Sequence, residues 1–540
     1  MQLDIRQAPN GGRADWLARQ LRLAIADGRL PVGSKLPASR VLAAELGVSR
    51  GVVTEAYQRL TEDGHTAGHR RNGTTVVAAP PPQSGVPWVD TPGSPSVDRP
   101  MDRSGVPPGD SCAGPYPPVG VPAADAGRSV PAPGDSSGSP QPPVAVPAPG
   151  ADRFATPPEA NLFDALRALP ARFDLTPGLP DLTAFPRAAW LRAERAVLGS
   201  LPSAEFGYGD PRGAPVLRRA IADWLARNRG VRADPDEVLI VSGTAQTLTL
   251  LGRVLRDAGI PRVAVEDPGA LGARQHLAAQ GLDTPPVPVD AEGVSVDALR
   301  ATGAAAVLLT PAHQFPMGVV LGGVRRRELM RWATESGGLV IEDDYDAEHR
   351  YDRPPVPALR AMLPGHVCYA GSVSKLLAPA LRIGWVLAPP PYRDALVAAK
   401  RLADLGNAVL PQLVLAHLME SGDLERQLRL LRTRHRRRRD AMAAAIKDHL
   451  PGATLHGAAA GLHLTITFDA AAFPDTLLAA AALARGVKAH PLSWHAQRPA
   501  PPGLVLGYAA RTPTDITAAV ATLGETVRAF TRRGAGRTAG

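Results

Sequence analysis

The chain has 540 residues and a formal net charge of +9, and 44% of its residues are apolar, which is enough for more than one folded domain. Its two cysteines, Cys112 and Cys368, exclude a disulfide scaffold and a cysteine-based zinc site, and they fit a reducing compartment. The first ten residues lack the apolar stretch of a secretory signal, and no long uninterrupted apolar run predicts a membrane span. We therefore expect a cytoplasmic, nucleoid-associated protein without a membrane partner.

Charge and proline divide the chain into three predicted segments. Residues 1–79 carry a net charge of +4, residues 80–158 carry −3 and residues 159–540 carry +8. The middle segment holds 22 of the 56 prolines, and proline lacks the amide donor that helices and sheets need. We predict that residues 80–158 form a flexible Pro/Gly-rich linker between a small basic domain and a large one.

The first segment, 1–79, predicts three helices followed by a β-hairpin. Apolar residues recur at helical spacing from Trp16 to Ile25, and Gly47 and Gly64 end two further helices. The residues after Gly64 combine a turn with β-forming residues. This order predicts a winged helix-turn-helix, mainly α with a small β wing, whose third helix enters the major groove of double-stranded DNA. A small helical protein-interaction domain is the alternative that periodicity alone permits.

A recognition helix contacts bases through its N-terminal residues, while other polar residues hold phosphates. Arg50 can pair bidentately with guanine, and a wing would place its arginines on the backbone or in the minor groove. The candidate DNA-binding residues are Arg40, Ser49, Arg50, Gly51, Thr54, Arg70 and Arg71.

The order of short sequence segments in this region carries a family resemblance. The stretches GSKLPASR (33–40), LGVSR (46–50) and GT (73–74) closely resemble the DNA-binding domain of GntR-type regulators. In that family, the arginine of the LPxSR segment and the Ser-Arg pair that opens the recognition helix contact DNA. The resemblance therefore implies an operator-binding role for Arg40, Ser49 and Arg50.

Beyond residue 159, short apolar runs alternate with helical segments, which predicts an α/β domain with a mostly parallel sheet. In such sheets, ligands bind at the carboxyl ends of the strands. The predicted strands are 238–241, 262–265, 305–309, 338–341 and 367–370, and two of the predicted helices are 245–258 and 323–336.

Chemically informative residues follow three of these strands. The first strand leads into a helix whose N–H groups at Thr244 and Ala245 predict an anion site. Acids and a phenol follow the fourth strand at 342–346, and Lys375 follows the fifth. A lysine, a phosphate site and a carboxylate at one sheet edge predict pyridoxal phosphate, which would form a Schiff base with the lysine while the carboxylate pairs with the ring nitrogen.

Hydroxyl and guanidinium groups near the lysine would neutralise the phosphate of this cofactor. The residues concerned are Ser372, Ser374 and Arg382, acting with the amides of Thr244 and Ala245. Taken alone, the SxSK segment is also compatible with an ordinary solvated loop.

The whole third segment resembles a fold-type I aminotransferase, an α/β pyridoxal-phosphate-dependent transferase. Together with the first segment it resembles the MocR/GabR (PdxR-like) subfamily of GntR regulators. The stretches that carry this resemblance are YGDPRG (208–213), EDPG (266–269), TPAHQFPMG (310–318), EDDYD (342–346) and SK…PALRIG (374–384).

The resemblance implies a role for particular residues of the aminotransferase-like domain. It places Lys375 at the Schiff base, Asp343 at the ring nitrogen and Tyr345 near the ring O3′. It places Arg382 and Ser372 at the phosphate, and His313 and Gln314 in the pocket wall. Tyr208 matches the tyrosine that reaches the phosphate of the partner subunit, so the resemblance also implies a homodimer, with heads exchanged between protomers.

Several residues depart from that family or have an open role. Ala270 stands where relatives carry an aromatic residue that can stack on the cofactor ring. Arg498 and Arg511 lie outside the recognised motifs, so neither is identified as the arginine that binds a substrate carboxylate. The arginine-rich run 432–439 is interpreted as a solvated helix face, with a nucleic-acid patch as the alternative. His490 and His495 lack a third ligand, so we expect no metal site.

These features together predict a transcriptional regulator that senses pyridoxal phosphate, or its adduct with an amine. It would control genes of vitamin B6 synthesis or of amine and amino-acid metabolism. Two other functions remain compatible with the sequence. One is a working aminotransferase with an accessory DNA-binding head, since half-reaction chemistry needs the same lysine and carboxylate. The other is an inactive aminotransferase fold that serves only for dimerisation.

Overall fold

The computed structural model describes residues 13–62, 66–69, 73–76, 169–351, 357–468 and 473–537, together with Ile5 and Ala8. The predicted wing arginines Arg70 and Arg71, the whole predicted linker and the first residues after it lie outside the described residues. We call residues 13–76 the head and residues 169–537 the body. In the described part of the chain, no helix combines the length and apolar character needed to cross a membrane.

The head contains the three predicted helices and the hairpin. Leu17, Leu21, Val53 and Leu60 are fully buried between its helices, because apolar residues at helical spacing give each helix one face for the core. Gly47 closes the second helix in the left-handed conformation, with φ of 63°, and so turns the chain toward the third. The head elements are α1 (Arg13–Ala26), α2 (Ser39–Leu46), α3 (Arg50–Glu62), β1 (Thr66–His69) and β2 (Gly73–Val76).

The body alternates strands and helices over its first two thirds and then ends in a smaller α+β unit. Its helices are α4 (Arg187–Ser200), α5 (Pro215–Arg229), α6 (Thr244–Asp257), α7 (Leu271–Ala278), α8 (Val296–Ala301), α9 (Gly323–Ser336), α10 (Pro390–Asp404), α11 (Val409–Glu420), α12 (Asp423–His449), α13 (Asp475–Ala484) and α14 (Pro513–Arg537). Its strands are β3 (Phe173–Asp174), β4 (Val238–Val241), β5 (Val263–Asp267), β6 (Pro286–Asp290), β7 (Gly293–Val294), β8 (Ala306–Leu309), β9 (Leu339–Asp344), β10 (Val367–Ser372), β11 (Gly384–Leu387), β12 (Thr454–His456), β13 (His463–Thr467), β14 (Val487–Lys488), β15 (His490–Pro491) and β16 (Gly503–Gly507).

The large sheet has the order β4-β11-β10-β9-β8-β5-β6-β7. Its neighbouring strands from β10 through β9, β8 and β5 to β6 are parallel, while β11 runs antiparallel between β4 and β10. All five predicted strands are present, within a few residues of their predicted ends, and the predicted mostly parallel α/β architecture is confirmed. Because the parallel strands end at one edge, the residues after β4, β9 and β10 come together there.

The arginine-rich run lies on α12, and its interpretation as a solvated face is only half right. Arg436 and Arg437 are exposed, but His435, Arg438 and Arg439 are buried. Arg438 pairs with Asp181 at 2.8 Å and donates to the carbonyl of Ala509. The helix is long enough to pack along other elements of the body on one side, so part of its charge stabilises the interior rather than facing solvent.

Candidate functional site

Four of the candidate DNA-binding residues of the head lie at or near the start of α3, and Arg40 lies on α2. Within the described part of the head, Arg40, Ser49, Arg50, Gly51 and Thr54 are all exposed. The Arg50 guanidinium approaches the Ser39 hydroxyl at 3.4 Å, and the Thr54 hydroxyl donates to the Arg50 carbonyl at 3.0 Å. These weak local contacts leave the Arg50 fork able to turn toward a base edge.

The predicted anion site of the body lies where β4 turns into α6. Gly243 has φ of 85°, and a Cβ added there would lie 3.7 Å from Nη1 of Arg382 and 3.8 Å from the Ser374 hydroxyl. The N-terminal amides of α6, at Thr244 and Ala245, therefore lie close to a guanidinium and a hydroxyl from another segment. Unpaired helix amides beside a cation are a strong site for a phosphate group.

We call the α6 amides of Thr244 and Ala245, together with Ser372, Ser374 and Arg382, the phosphate cradle. The last three of these residues come from the end of β10 and the segment after it. Ser372 is buried at the end of the strand, and its hydroxyl accepts a hydrogen bond from the Ser374 amide at 3.3 Å. Arg382 adopts the left-handed conformation, with φ of 50°, and its guanidinium donates to the Ser242 carbonyl. This bond links the two loops that would hold the phosphate.

Three consecutive acids end β9, and their partners distinguish them. Glu342 accepts hydrogen bonds from the amides of Leu359 and Arg360, at 2.9 and 3.0 Å. Asp344 forms a buried ion pair of 2.6 Å with Arg229. Because side chains alternate along a strand, Asp343 faces the opposite side of the sheet, toward α6. The neighbouring acids are thus engaged in the fold, and Asp343 is the acid that the strand presents to the cradle.

Asp343 has the properties expected of a partner for a cationic ring nitrogen. Its carboxylate accepts a hydrogen bond from the Thr244 hydroxyl at 3.2 Å, and burial raises its pKa to about 7. A half-buried carboxylate with a raised pKa is stabilised in its charged form by a bound cation, and the protonated pyridine ring of pyridoxal phosphate is such a cation. The residues present therefore fit this cofactor at both its phosphate and its ring nitrogen.

The raised pKa of Asp343 makes a prediction for the protein without ligand. Its native pKa of about 7 exceeds the usual value of 3.8, so the native state holds this proton more tightly than the unfolded chain. The contribution of Asp343 to the free energy of unfolding therefore falls as pH rises from 4 to 7, and we expect Asp343→Asn to make the slope of the unfolding free energy against pH more positive than in the wild-type protein. Urea unfolding across this pH range measures the effect, with the exposed Asp394→Asn as the matched control. An unchanged slope in Asp343→Asn would contradict it.

Lys375 lies on the loop after β10, where its amine donates to the carbonyl of Gly178. A Cβ added at Gly178 would come within 3.1 Å of this amine, so glycine gives the lysine room. The whole chain has five lysines, and the others are Lys35, Lys400, Lys447 and Lys488. Lys400 and Lys488 form ion pairs with Asp404 and Asp174, while Lys35 and Lys447 are exposed. Lys375 is therefore the candidate for covalent attachment of the cofactor.

Tyr345 and His313, which were both predicted in the site, are joined by Asp346. Nδ1 of His313 lies 2.9 Å from the Asp346 carboxylate and 3.0 Å from the Tyr345 hydroxyl. With its proton directed at Asp346, this nitrogen leaves the Tyr345 hydroxyl to donate to the His313 carbonyl, 3.1 Å away. One side-chain nitrogen or carboxylate oxygen from each of His313, Asp346 and His463 lies within 4.8 Å of the other two. We interpret the group as a hydrogen-bond network that orients the Tyr345 phenol.

Gln314 is buried, and its amide is bonded to the surrounding loop. Its nitrogen donates to the carbonyls of Pro268 and Phe315, at 2.8 and 2.7 Å, and its oxygen accepts from the Met317 amide at 3.0 Å. The side chain therefore shapes the pocket wall by holding this loop. A direct contact of Gln314 with the cofactor stays a prediction.

The residues with an open role also have clear surroundings. Ala270 and Asp343 both line one small cavity. Arg498 pairs with Asp267 at 2.8 Å, and Arg511 donates to the carbonyl of Asp174 at 3.2 Å. Both arginines are therefore engaged within the body, and neither is assigned to a substrate carboxylate.

Sequence reasoning missed three residues that support the site. Asp346 lies in the EDDYD segment without a predicted role, and Lys400 and Asn407 belong to no predicted motif. Lys400 is completely buried and Asn407 bonds to both phosphate loops. The contacts of Lys400 with Gln246 and of Asn407 with Ser242 span 154 and 165 residues, so no local spacing could reveal them.

Two family models match this chain. The model for aminotransferase class I and II matches residues 179–513, and the model for bacterial regulatory proteins of the gntR family matches residues 14–76. The chain is 29% identical to the probable rhizopine catabolism regulatory protein MocR of Rhizobium meliloti, over 92% of this chain and 90% of that protein. It is also 29% identical to the pyridoxine biosynthesis transcriptional regulator PdxR of Corynebacterium glutamicum, over 91% of each.

Solved structures agree with the assignment of the body. The multiple substrate aminotransferase of Thermococcus profundus is similar over 71% of this chain and 98% of its own, with a TM-score of 0.64 and 27% identity. Pyridoxal phosphate is the cofactor of this fold, and the cradle described above fits it. The chain therefore belongs to the aminotransferase class I and II family and, with its gntR-family DNA-binding head, to the pyridoxal-phosphate-dependent regulators of the MocR/PdxR type.

Proposed function

We propose that this regulator senses pyridoxal phosphate, or an adduct of it with an amine, and that the bound state sets the affinity of its heads for an operator. One observation carries the proposal. The same chain presents an exposed recognition-helix start at Arg50 and, in its body, a lysine beside a phosphate cradle and a half-buried acid with a raised pKa. The first can contact bases, and the second can hold the cofactor.

Each predicted site residue has a distinct part in holding the cofactor. Lys375 would supply the amine for covalent attachment, Asp343 would pair with the ring nitrogen, and Tyr345 would lie near O3′. Pyridoxal phosphate itself supplies an aldehyde and an electron-withdrawing ring. The phosphate would be held by Ser372, Ser374, Arg382 and the amides of Thr244 and Ala245, with His313 and Gln314 forming the wall.

A homodimer is part of the proposal. Tyr208 is 95% exposed, and it lies in an exposed segment with Phe206, which is 57% exposed. Gly406 packs against Pro211, so this segment lies next to the loop after α10 that borders the cradle. An exposed phenol at this place is suited to reach the phosphate of a partner subunit. Two subunits would present two heads, which fits a pair of half-sites, and the heads could be exchanged between protomers.

The genes under control are proposed from the relatives. The similar protein of Corynebacterium glutamicum is named for pyridoxine biosynthesis, so we propose genes of vitamin B6 synthesis as the first target. The name of the Rhizobium meliloti protein refers to rhizopine catabolism, which makes an amine-metabolism operon the second. In either case, the ligand can shift DNA affinity only by its differential affinity for the two states of the protein.

An active aminotransferase with an accessory head is the second candidate function. The intact set of Lys375, Asp343 and Arg382 favours it, because transamination needs the same groups. The small side chain at Ala270 and the engaged arginines Arg498 and Arg511 favour the regulator instead.

Footprinting of the intergenic region upstream of the gene, with and without pyridoxal phosphate, tests the proposal. We expect protection of paired half-sites whose protein requirement changes when the cofactor is added, because binding biases one state of the body. A parallel assay offers several amino donors and measures keto-acid release. Sustained turnover at enzyme-like rates with a footprint that ignores the cofactor would contradict the sensing function and support the aminotransferase.

A further inference from the structure

Lys400 is a completely buried lysine on α10, outside every motif of the site. Its side chain is 0% exposed, and burial lowers the pKa of its amine. A buried ammonium is rare unless all of its donors are used. Its Nζ donates to Gln246 Oε1 at 2.9 Å, to Asp404 at 2.7 Å and to Asn407 Oδ1 at 2.5 Å. The three acceptors come from two elements and the loop that follows α10.

Gln246, in the first turn of α6, links Lys400 to the first phosphate loop, which contains Ser242 and Gly243. Its oxygen accepts both from Lys400 and from the Ser242 amide, at 2.8 Å. Its nitrogen donates to Asp404 at 2.8 Å. The amide is thus fixed in one orientation, since both donors face its oxygen and the carboxylate faces its nitrogen. Ser242 is the residue immediately before Gly243, the glycine of the cradle.

Asn407 links Lys400 to both phosphate loops, the first at Ser242 and the second at Arg382. Its nitrogen donates to the Ser242 hydroxyl at 3.1 Å and to the Arg382 carbonyl at 3.0 Å, while its oxygen accepts from Lys400. Its own carbonyl is held by Gln412 at 2.9 Å. Arg382 has a left-handed backbone that an L side chain rarely adopts, so a hydrogen bond to its carbonyl helps to hold it.

From this network we propose that Lys400 is a positioning residue for the phosphate group of the ligand. Through Gln246 and Asn407, its three donors fix the two loops at the distance at which the α6 amides and the Arg382 guanidinium meet one anion. The inference rests on the proposed binding of pyridoxal phosphate. It adds that recognition of the phosphate, rather than of the ring, depends on a lysine that does not touch the ligand.

Lys400→Met tests this role, because methionine keeps much of the side chain but donates no hydrogen bond. The full-length protein is titrated with pyridoxal phosphate and with pyridoxal, which lacks the phosphate. We expect the dissociation constant for pyridoxal phosphate to rise about tenfold, the order expected for loss of charge-assisted hydrogen bonds, and that for pyridoxal to change less than about twofold. Lys447→Met, on the exposed face of α12, is the matched control and leaves both constants unchanged.

A second readout needs no cofactor. Inorganic phosphate at increasing concentration should raise the thermal unfolding midpoint of the wild-type apoprotein, because it binds the native cradle. The increase should be smaller in Lys400→Met than in Lys447→Met. An equal loss of affinity for pyridoxal phosphate and pyridoxal, or an unchanged phosphate effect, would show that Lys400 serves general stability and overturn the proposal.

Asn407→Ala covers the case in which Lys400→Met fails to fold. It leaves the Lys400–Asp404 ion pair in place and removes the link to Ser242 and Arg382, so the same selective loss is expected. Unaltered selectivity in a folded Asn407→Ala protein would overturn the proposal. If the wild-type protein binds neither pyridoxal phosphate nor pyridoxal, the proposed function fails first, which distinguishes the two failures.

Discussion

Arg50→Ala is expected to remove specific operator binding while cofactor binding stays intact. Arg50 opens the recognition helix, is exposed and can present a bidentate fork to guanine. A good bidentate contact discriminates by about 1–3 kcal/mol, and a dimer that uses two heads loses it twice. The specific dissociation constant should therefore rise by roughly one to four orders of magnitude. Titration of a fluorescent operator fragment against a scrambled fragment measures the change.

Arg19→Ala is the control that separates base recognition from charge. Arg19 is an exposed arginine on α1, away from the start of α3, so its removal changes the head charge by the same amount. Loss of a positive charge alone weakens specific and non-specific binding together and depends on salt. We expect Arg19→Ala to keep the ratio between operator and scrambled DNA. A footprint of Arg50→Ala that matches the wild-type footprint would contradict the assignment of α3.

The main strands of the body were predictable because each is a buried apolar run between turn-forming residues. The strand β4 has the predicted ends, Val238 and Val241, and all of its side chains are buried. The candidate site followed from the same pattern, since polar residues directly after parallel strands meet at one edge. The position of Lys375 near Ser374 and Arg382 is therefore a consequence of local sequence.

The supporting interactions were not predictable, because they join residues that are distant in the chain. The ion pair between Arg229 and Asp344 spans 115 residues, and the bond between Lys400 and Gln246 spans 154. A charged residue in a helix is expected on a solvated face, so Lys400 gave no local signal of burial. The same expectation failed for Arg438 on α12. Polar groups of this kind are placed by tertiary partners, which no spacing rule contains.

The antiparallel strand β11 shows another limit. This strand, Gly384–Leu387, was not predicted, although all four of its residues are buried. Gly384 is required there because a Cβ would lie 2.8 Å from both the Gly243 backbone and the Gly371 carbonyl. The strand thus brings the backbone that follows Arg382 into contact with the loop at Gly243. This close approach is part of the phosphate cradle.

Lys375→Ala is expected to abolish the Schiff-base absorbance band of the bound cofactor. Alanine has no amine, and of the four other lysines Lys35 and Lys447 are exposed, while Lys400 and Lys488 are buried and paired with Asp404 and Asp174. The phosphate cradle remains, so weaker non-covalent binding should persist. Removal of the nearby cation should also raise the pKa of Asp343 further, since Lys375 lowers it in the wild-type protein. Absorbance spectra of dialysed wild-type and variant protein measure the effect.

The two substitutions together test whether one chain couples the two sites. Lys375→Ala should keep operator binding in the absence of cofactor, and it should lose the change that pyridoxal phosphate causes in that binding. Arg50→Ala should show the opposite pattern, with normal absorbance and no specific footprint. Lys447→Ala serves as the lysine control and should behave as wild type, because this side chain is exposed on α12. Wild-type absorbance in Lys375→Ala would place the covalent bond on another lysine. A full cofactor response without Lys375 would mean that non-covalent occupancy of the cradle is sufficient to bias the body.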